Sequence, residues 1–383
     1  MPATVPPSSL ELRSLVKSSG ELELSLVEVD VAAPLPDEVT VRIEAAPINP
    51  SDQGLLFGAA DLATARATGT REAPIVTATI PAQRMKSMAG RVDRSMAVGN
   101  EGAGVVVRAG SDATAQALLG RTVALFGGGT YAQYRNVKAE RCLALPDGTQ
   151  PADAASCFIN PLTALGLVET MRREGHHALV HAPAASNLGR MLVRICAADG
   201  VELVNIVRSQ AQRDLLTGMG ARHVCDLGSA TFDDDLAAAV AATDATIAFD
   251  AIGGGTLASR LFSAMESAAA AKLREYTRYG SDVLKQVYIY GSLDTGPTIL
   301  QRNFGLTWNL GGWLLWPFLK KLGPAGEARL RERVVAELHT TFASPYSKVI
   351  SLAEALRPET IAAYSQRATG GKYLINPNLQ TRS

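Results

Sequence analysis

The residues best placed to do chemistry lie in one short stretch. An apolar run, Ala178–Ala182, is followed by small and polar residues (Pro183, Ala184, Ala185, Ser186, Asn187), and Leu188-Gly189 then opens the helical run LGRMLVRICAADG. A strand, a tight turn and a helix start present free backbone N–H groups and the positive end of the helix dipole to an anion, so a dinucleotide pyrophosphate fits there. The spacing is that of GxGxxG, with Ala184 and Ser186 at the first two glycine positions and Gly189 at the third. The same small residues would also serve a tight connection with no ligand. The next strand ends in Asn205-Ile206-Val207-Arg208-Ser209, about 20 residues past the turn, where an acidic side chain would hold a ribose 2′-hydroxyl. An arginine suits a 2′-phosphate instead, so NADP(H) is favoured over NAD(H). A solvated charge at a strand end is the plainer alternative for Arg208.

Such a turn needs a parallel sheet behind it. Residues 151–340 alternate short apolar runs with helical stretches, as βαβ units do. The expected strands are Ala178–Ala182, Leu203–Val207, His223–Cys225, Thr246–Phe249 and Val287–Tyr290. In the helix after the first, Leu188, Leu192, Ile195 and Cys196 share one face, and Gly200 is a natural stop. Residues 1–150 have a different texture. Runs such as Glu38–Ile43, Gly104–Arg108 and Thr122–Leu125 sit between turn residues, which predicts an irregular β barrel or sandwich. Residues 341–383 return to β texture at Lys348–Ser351 and Lys372–Ile375 and are expected to complete that domain. The fold class is therefore α/β, a doubly wound parallel sheet with a separate β domain.

Composition sets the outer bounds. The chain has 383 residues, 47% hydrophobic and 19% charged, which is globular rather than disordered. Its 37 basic and 37 acidic side chains cancel, and no basic run marks a nucleic-acid partner. The longest apolar candidate, Leu310–Leu319, is about half of the roughly 20 residues a membrane span needs. The opening MPATVPPSSLELRS has no charged start followed by an apolar core, so a cytoplasmic location is expected. The cysteines at 142, 157, 196 and 225 form no CxxC pair, and the five histidines no HExxH cluster. No metal is expected, structural or catalytic.

Eight short words, in one order, carry a family resemblance: APINPSD (46–52), GNEGAG (99–104), GTYAQY (129–134), INPLTA (159–164), ASNLG (185–189), NIVR (205–208), YIYG (288–291) and GGK (370–372). Together they resemble the medium-chain dehydrogenase/reductase superfamily on its zinc-free side, in the quinone oxidoreductase and 2-enoyl thioester reductase branches. The resemblance implies a GroES-like substrate domain (residues 1–150, completed by 341–383) and a Rossmann domain (151–340) that binds the dinucleotide. Zinc-dependent relatives carry a cysteine near the INPSD position and a histidine before the glutamate of GNE; here those places hold Asn49 and Asn100. The thioester reductases carry a proton-donating tyrosine eight residues after the aspartate of INPSD, a register that falls on Ala60.

Hydride transfer asks mainly for orientation and, for an activated alkene, a donor that polarises the carbonyl. The resemblance places Asn49, Asn160, Thr163, Tyr131 and Tyr290 near the nicotinamide. Asn49 and Asn160 each precede a proline and also read as turn residues; Tyr131 and Tyr134 alternate on a strand, so one can be core. The catalytic role stays open between Asn49 and Tyr131. Tyr290 and Gly291 stand at a strand end, where a cofactor crevice opens. The resemblance also sets the backbone of Trp313 and Leu314 against the nicotinamide, counts Lys372 with the cofactor residues, and makes this stretch part of a dimer-forming strand. Trp308, Trp313, Trp316 and Phe318 read equally as core or subunit contact.

The expected activity is NAD(P)H-dependent reduction of a small quinone or α,β-unsaturated carbonyl. A zinc-free NADP-dependent alcohol dehydrogenase and a nucleotide-binding relative with little catalysis are the alternatives. Two stretches read as insertions, 59–98 and 267–285. The first mixes Ile75, Val76, Ile80, Met85 and Met88 with Arg84, Lys86, Arg91 and Arg94, and is expected to be a lid with its apolar side over the substrate.

Overall fold

A computed structural model describes residues 5–366 and 370–379; residues 1–4 of the stretch read for a leader lie outside the described residues. The chain divides into two compact units, Met1–Ile159 with Val334–Ser383, and Asn160–Arg333.

The first unit opens with ten strands: β1 (Ser8–Val16), β2 (Glu21–Asp30), β3 (Glu38–Pro47), β4 (Asp61–Gly69), β5 (Pro74–Thr79), β6 (Ser95–Ala97), β7 (Glu101–Ala109), β8 (Thr122–Phe126), β9 (Tyr134–Lys138) and β10 (Cys142–Ala144). One sheet runs β4-β5-β2-β1-β6, and a second runs β10-β8-β7-β3, with β9 also paired to β3. Alternation puts Leu12, Leu22, Leu24, Val41 and Ile43 into the core.

The stretch 59–98 is not an excursion from this fold. It supplies β4, β5 and β6, three strands of the five-stranded sheet. Val76 and Ala78 pair with Leu24 and Leu22 of β2, and Val76, Ala78 and Ile80 are buried. Met85 and Met88 pack on the same core. Arg91 turns inward, donating from Nη1 to the Leu55 carbonyl and from Nη2 to Ser14 Oγ. The lid expectation is therefore corrected: the apolar side of the segment covers its own unit's core. The period-2 alternation of Val76, Ala78 and Ile80 is the sequence signal for this.

The second unit holds β11 (Ala178–Ala182), β12 (Glu202–Val207), β13 (His223–Asp226), β14 (Ile247–Asp250), β15 (Gly253–Gly255), β16 (Lys285–Ile289), β17 (Asp294–Thr298) and β18 (Trp308–Gly312). Six of them form a sheet in the order β13-β12-β11-β14-β16-β18, with every pairing parallel. On one face Val180, Val204, Ile206 and Val287 share a core with Phe232, Leu236, Leu261 and Phe262 of the helices Phe232–Thr243 and Leu257–Ala270. The helix Asn187–Asp199 buries Leu188, Leu192, Ile195 and Cys196 and ends at Gly200, whose φ is 66°. Trp308 packs on Phe262 and Phe304. The Trp313 ring lies against Phe318, and its Nε1 donates to Thr170 Oγ1 at 2.9 Å, while Trp316 is exposed. The stretch 267–285 begins as the end of the helix Leu257–Ala270 and is tied down by Glu266, which accepts from Ser281 and Lys285.

The chain then returns to the first unit as β19 (Lys348–Ile350) and β20 (Tyr373–Ile375). These pair in parallel, and β20 runs antiparallel to β3, joining Leu374 to Pro47 and Ile375 to Ala46.

Candidate functional site

In the second unit the turn after β11 is built by short side chains. Ser186 caps the helix Asn187–Asp199, its Oγ accepting from the Gly189 N–H at 3.0 Å. The Ala184 N–H donates to the Ile206 carbonyl at 2.8 Å, which stitches the turn to β12. A Cβ on Gly189 would lie 2.1 Å from the Ala184 oxygen, so no other residue fits there without moving the turn. Ala184 is buried, so the first glycine position of the motif needs no more than a methyl.

Arg208 follows β12, exposed, and its backbone N–H donates to Gln212 Oε1. Tyr290 and Gly291 follow β16, and a Cβ on Gly291 would meet the Ala251 oxygen at 2.7 Å. Trp313 and Leu314 follow β18, the first buried and the second exposed. All of these stand at the carboxyl edge of one parallel sheet, where open α/β folds bind ligands. Asn160 and Thr163 lie in the first turn of the helix Ile159–Arg173, with Thr163 buried.

Tyr290 does not offer a free hydroxyl. It shares a 2.7 Å hydrogen bond with His181 Nε2. Burial pushes the His181 imidazole down to about 3, so it is neutral, and burial beside Asp250 pushes the Tyr290 phenol up.

In the first unit a polar cluster gathers where several strand ends meet. Asn49, just beyond β3, donates from Nδ2 to Glu101 Oε1 at 2.9 Å. Glu101, at the start of β7, accepts on Oε2 from the backbone N–H groups of Phe158 and Ile159, at 3.0 and 2.8 Å. Asp52 accepts from the Asn49 and Asn100 N–H groups at 2.7 and 2.8 Å. Lys372, just before β20, donates to Ser156 Oγ at 2.6 Å, and Ser156 Oγ stands 2.8 Å from the Tyr346 hydroxyl. Burial raises the Glu101 carboxyl against the pull of Lys372.

Tyr131, the other catalytic candidate, faces inward. It is fully buried, ahead of β9, and its hydroxyl donates to the Pro47 carbonyl at 3.0 Å, so its side chain is spent in the core. Asn49 remains, and its Oδ1 is buried with no hydrogen-bond partner among the described residues. The Lys372 ammonium is engaged with Ser156 inside the first unit.

Residues 35–147 match the family model described as the alcohol dehydrogenase GroES-like domain. Over nearly the whole chain the fold matches a putative NADPH:quinone reductase from Mesorhizobium loti, at 24% identity and a TM-score of 0.73, covering 98% of this chain and 100% of that one. The chain thus carries an alcohol dehydrogenase GroES-like domain and shares its fold with that reductase. Its further likenesses are to quinone oxidoreductases and enoyl reductases. The Escherichia coli quinone oxidoreductase complexed with NADPH matches at 17% identity and a TM-score of 0.67, with 97% and 100% of the two chains covered. The mitochondrial enoyl-[acyl-carrier-protein] reductase of Xenopus tropicalis is 28% identical over 230 residues, 57% of each protein. A mycocerosic acid synthase-like polyketide synthase of Mycolicibacterium smegmatis is 26% identical over 228 residues. The chain spans 9% of that synthase and little more than half of the reductase.

Against the expected motifs, the missing features are as informative as those present. Ala60 is half-buried against the first unit's core and brings no hydroxyl. Asn100 donates to Ser51 Oγ and, through its N–H, to Asp52. Among the described residues no three of His, Cys, Asp and Glu gather in metal-binding geometry. Glu101 and Asp52 stand inside words that carried the resemblance, but nothing local marks them as buried. Ser156 and Tyr346 belong to no word, and only the fold joins them.

Asp52 has a measurable consequence. Burial pushes its carboxyl up to about 7, against the two N–H groups that favour the ionised form. Asp52 thus holds its proton more tightly folded than unfolded, where aspartate titrates at about 4. Its contribution to stability is full below the unfolded value and is lost as pH rises through about 7. The melting temperature should fall between about pH 4 and about pH 7; a flat or rising profile would show that the two N–H groups outweigh burial.

Proposed function

We propose that this chain is an NADP(H)-dependent oxidoreductase that reduces a small quinone or an α,β-unsaturated carbonyl without zinc. The observation that carries the reading is the Ala184–Gly189 turn at the carboxyl edge of the parallel sheet, with Arg208 exposed at the end of the neighbouring strand. The N–H groups opening the helix Asn187–Asp199 would hold a pyrophosphate, and the Arg208 guanidinium a 2′-phosphate. NADPH when bound supplies a hydride to the substrate. The protein's part is to orient the two reactants, keep water out and provide a donor for the charge that develops on the substrate. Asn49 and Asn100 in place of metal-binding side chains support the zinc-free reading. β18 is the edge strand of its sheet and leaves backbone groups unpaired on one side, which supports a homodimer formed there. Among the described residues no helix is long and apolar enough to cross a membrane; a cytoplasmic location is part of the proposal.

Each charge-assisted hydrogen bond from Arg208 to a 2′-phosphate is worth roughly 1.5–3 kcal/mol. Arg208→Ala should therefore weaken NADPH binding about tenfold or more and leave NADH nearly unchanged, as read by nicotinamide fluorescence titration. Equal losses for the two cofactors would remove the assignment. Run with a chelator present, NADPH oxidation by a panel of quinones and enones then tests the activity itself; dependence on stoichiometric zinc would overturn the metal-free part.

A second reading has one observation in its favour. The unpartnered Oδ1 of Asn49 is an acceptor, which suits a substrate hydroxyl better than a carbonyl. Oxidation of alcohols with NADP⁺, faster than any enone or quinone reduction, would favour the alcohol dehydrogenase.

A further inference from the structure

Reduction of an activated alkene needs a proton at the α-carbon as well as a hydride at the β-carbon. The tyrosine expected in that role is replaced by Ala60. The nine tyrosines of the chain can be taken in turn. Tyr131 and Tyr364 are buried and donate to the Pro47 and Ala355 carbonyls. Tyr288 and Tyr290 are engaged by Glu174 and His181 within the second unit. Tyr276 and Tyr279 are exposed on the 267–285 stretch. Tyr134 and Tyr373 are half-buried on strands, with no acid–base group hydrogen-bonded to their hydroxyls among the described residues. Tyr346 alone hydrogen-bonds to a hydroxyl that itself accepts from an ammonium group.

That chain has a direction. Lys372 Nζ has protons and no acceptor site, so Ser156 Oγ accepts from it, at 2.6 Å. The one hydroxyl proton of Ser156 is then free to go to Tyr346 Oη, at 2.8 Å. The proton of Tyr346 is left to point out of the chain. Ser156 is buried and Tyr346 partly exposed, so the chain runs from the interior outward. Tyr346 packs on Ala45, which lies in the strand leading to Asn49, and on Ala155 and Leu374. The chain thus sits beside the Asn49–Glu101 cluster, and the Lys372 charge acts on Glu101.

We propose that Tyr346, backed by Ser156 and Lys372, is the proton donor for reduction of an α,β-unsaturated carbonyl. This rests on the reductase reading above. Once hydride has added at the β-carbon, the alkene electron pair resides in an enolate. The α-carbon then forms a bond to the Tyr346 hydroxyl proton as the enolate reverts to the carbonyl. Tyr346 oxygen takes the Ser156 proton, Ser156 oxygen takes one from the Lys372 ammonium, and the resulting amine is reprotonated by water. Tyr346 is the catalytic residue of the chain; Ser156 and Lys372 position and recharge it.

The test compares two acceptors. A quinone takes its protons from solvent through oxygen, whereas an enone must be protonated at carbon. Tyr346→Phe keeps the ring and its packing. With the full chain and NADPH, it should lower kcat on an α-methyl enone about 100-fold, the scale of a lost general acid, and leave quinone reduction within about twofold. Ser156→Ala should move the same two rates in the same direction, by less. A second readout separates chemistry from structure. In D₂O the wild type should deliver deuterium to one face of the α-carbon, and Tyr346→Phe should give both diastereomers. Equal losses on both acceptors, or an unchanged single diastereomer, would overturn the relay and leave the reductase reading intact. A wild-type protein that reduces only the quinone would also overturn the relay. One that reduces neither acceptor would overturn both.

Discussion

Replacing residues 62–94 with a short Gly-Ser linker should leave the first unit unable to fold to its native stability. The replacement removes nearly all of β4 and the whole of β5, and with it the partner of β2 along Glu21–Ser25. Val76, Ala78 and Ile80 leave the core, and Leu22 and Leu24 lose the neighbours that keep them dry. Burial of a valine or isoleucine side chain is worth about 1.5–3 kcal/mol, and the exposed partners lose a comparable amount. The Arg91 bonds to Leu55 and Ser14, which tie this segment to the helix Pro50–Phe57, disappear as well. The loss reaches roughly 5 kcal/mol or more, a large part of what holds a domain together. A melting temperature lower by on the order of 10–20 °C, or insoluble protein, is the expected result. Ile80→Ala alone should cost about 2–5 kcal/mol. A deletion that melts like the wild type and changes only the Michaelis constant would make the segment a lid after all.

Lys285→Met should lower the stability of the second unit by about 3 kcal/mol. Lys285 is fully buried at the start of β16. Its ammonium spends all three protons, on Glu266 Oε2 at 2.5 Å and on Ser281 Oγ and the Val283 carbonyl, both at 3.0 Å. Removing it strands the Glu266 carboxylate with only the two Ser281 donors, and breaking a buried pair from one side costs roughly 3–5 kcal/mol. The low end applies because Glu266 lies closer to the surface than Lys285. The double replacement Lys285→Met, Glu266→Leu should recover much of the loss, since an apolar pair of similar volume often replaces a buried ion pair without penalty. Chemical denaturation of the two variants reads both outcomes. A single variant as stable as the wild type would show that the pair only orders residues 267–285 locally, and hydrogen exchange in that stretch would then be the property that changes.

What the sequence determined by itself is whatever local chemistry decides. The parallel-sheet strands were legible because runs such as Ala178–Ala182 are short, apolar and followed by turn residues, and the helix Asn187–Asp199 because its buried residues recur at helical spacing before Gly200. The turn at Ala184–Gly189 was legible because a cap, a small residue and a glycine within six positions must meet one another in any fold. Only the tertiary structure decided which polar side chains are spent in the core and which remain. Tyr131 and Asn49 look alike as candidates in the sequence, yet one is fully buried on the Pro47 carbonyl and the other keeps an unpartnered oxygen. The partners of the strands drawn from residues 59–98 were hidden because β pairing is non-local: β6 finds its partner about 80 positions away, in β1. The Lys372–Ser156–Tyr346 chain lay further out of reach. Its members stand 216 and 190 positions apart, and hydrogen bonds between such residues exist only once the chain's return through β20 has closed the first unit, because no local propensity encodes them.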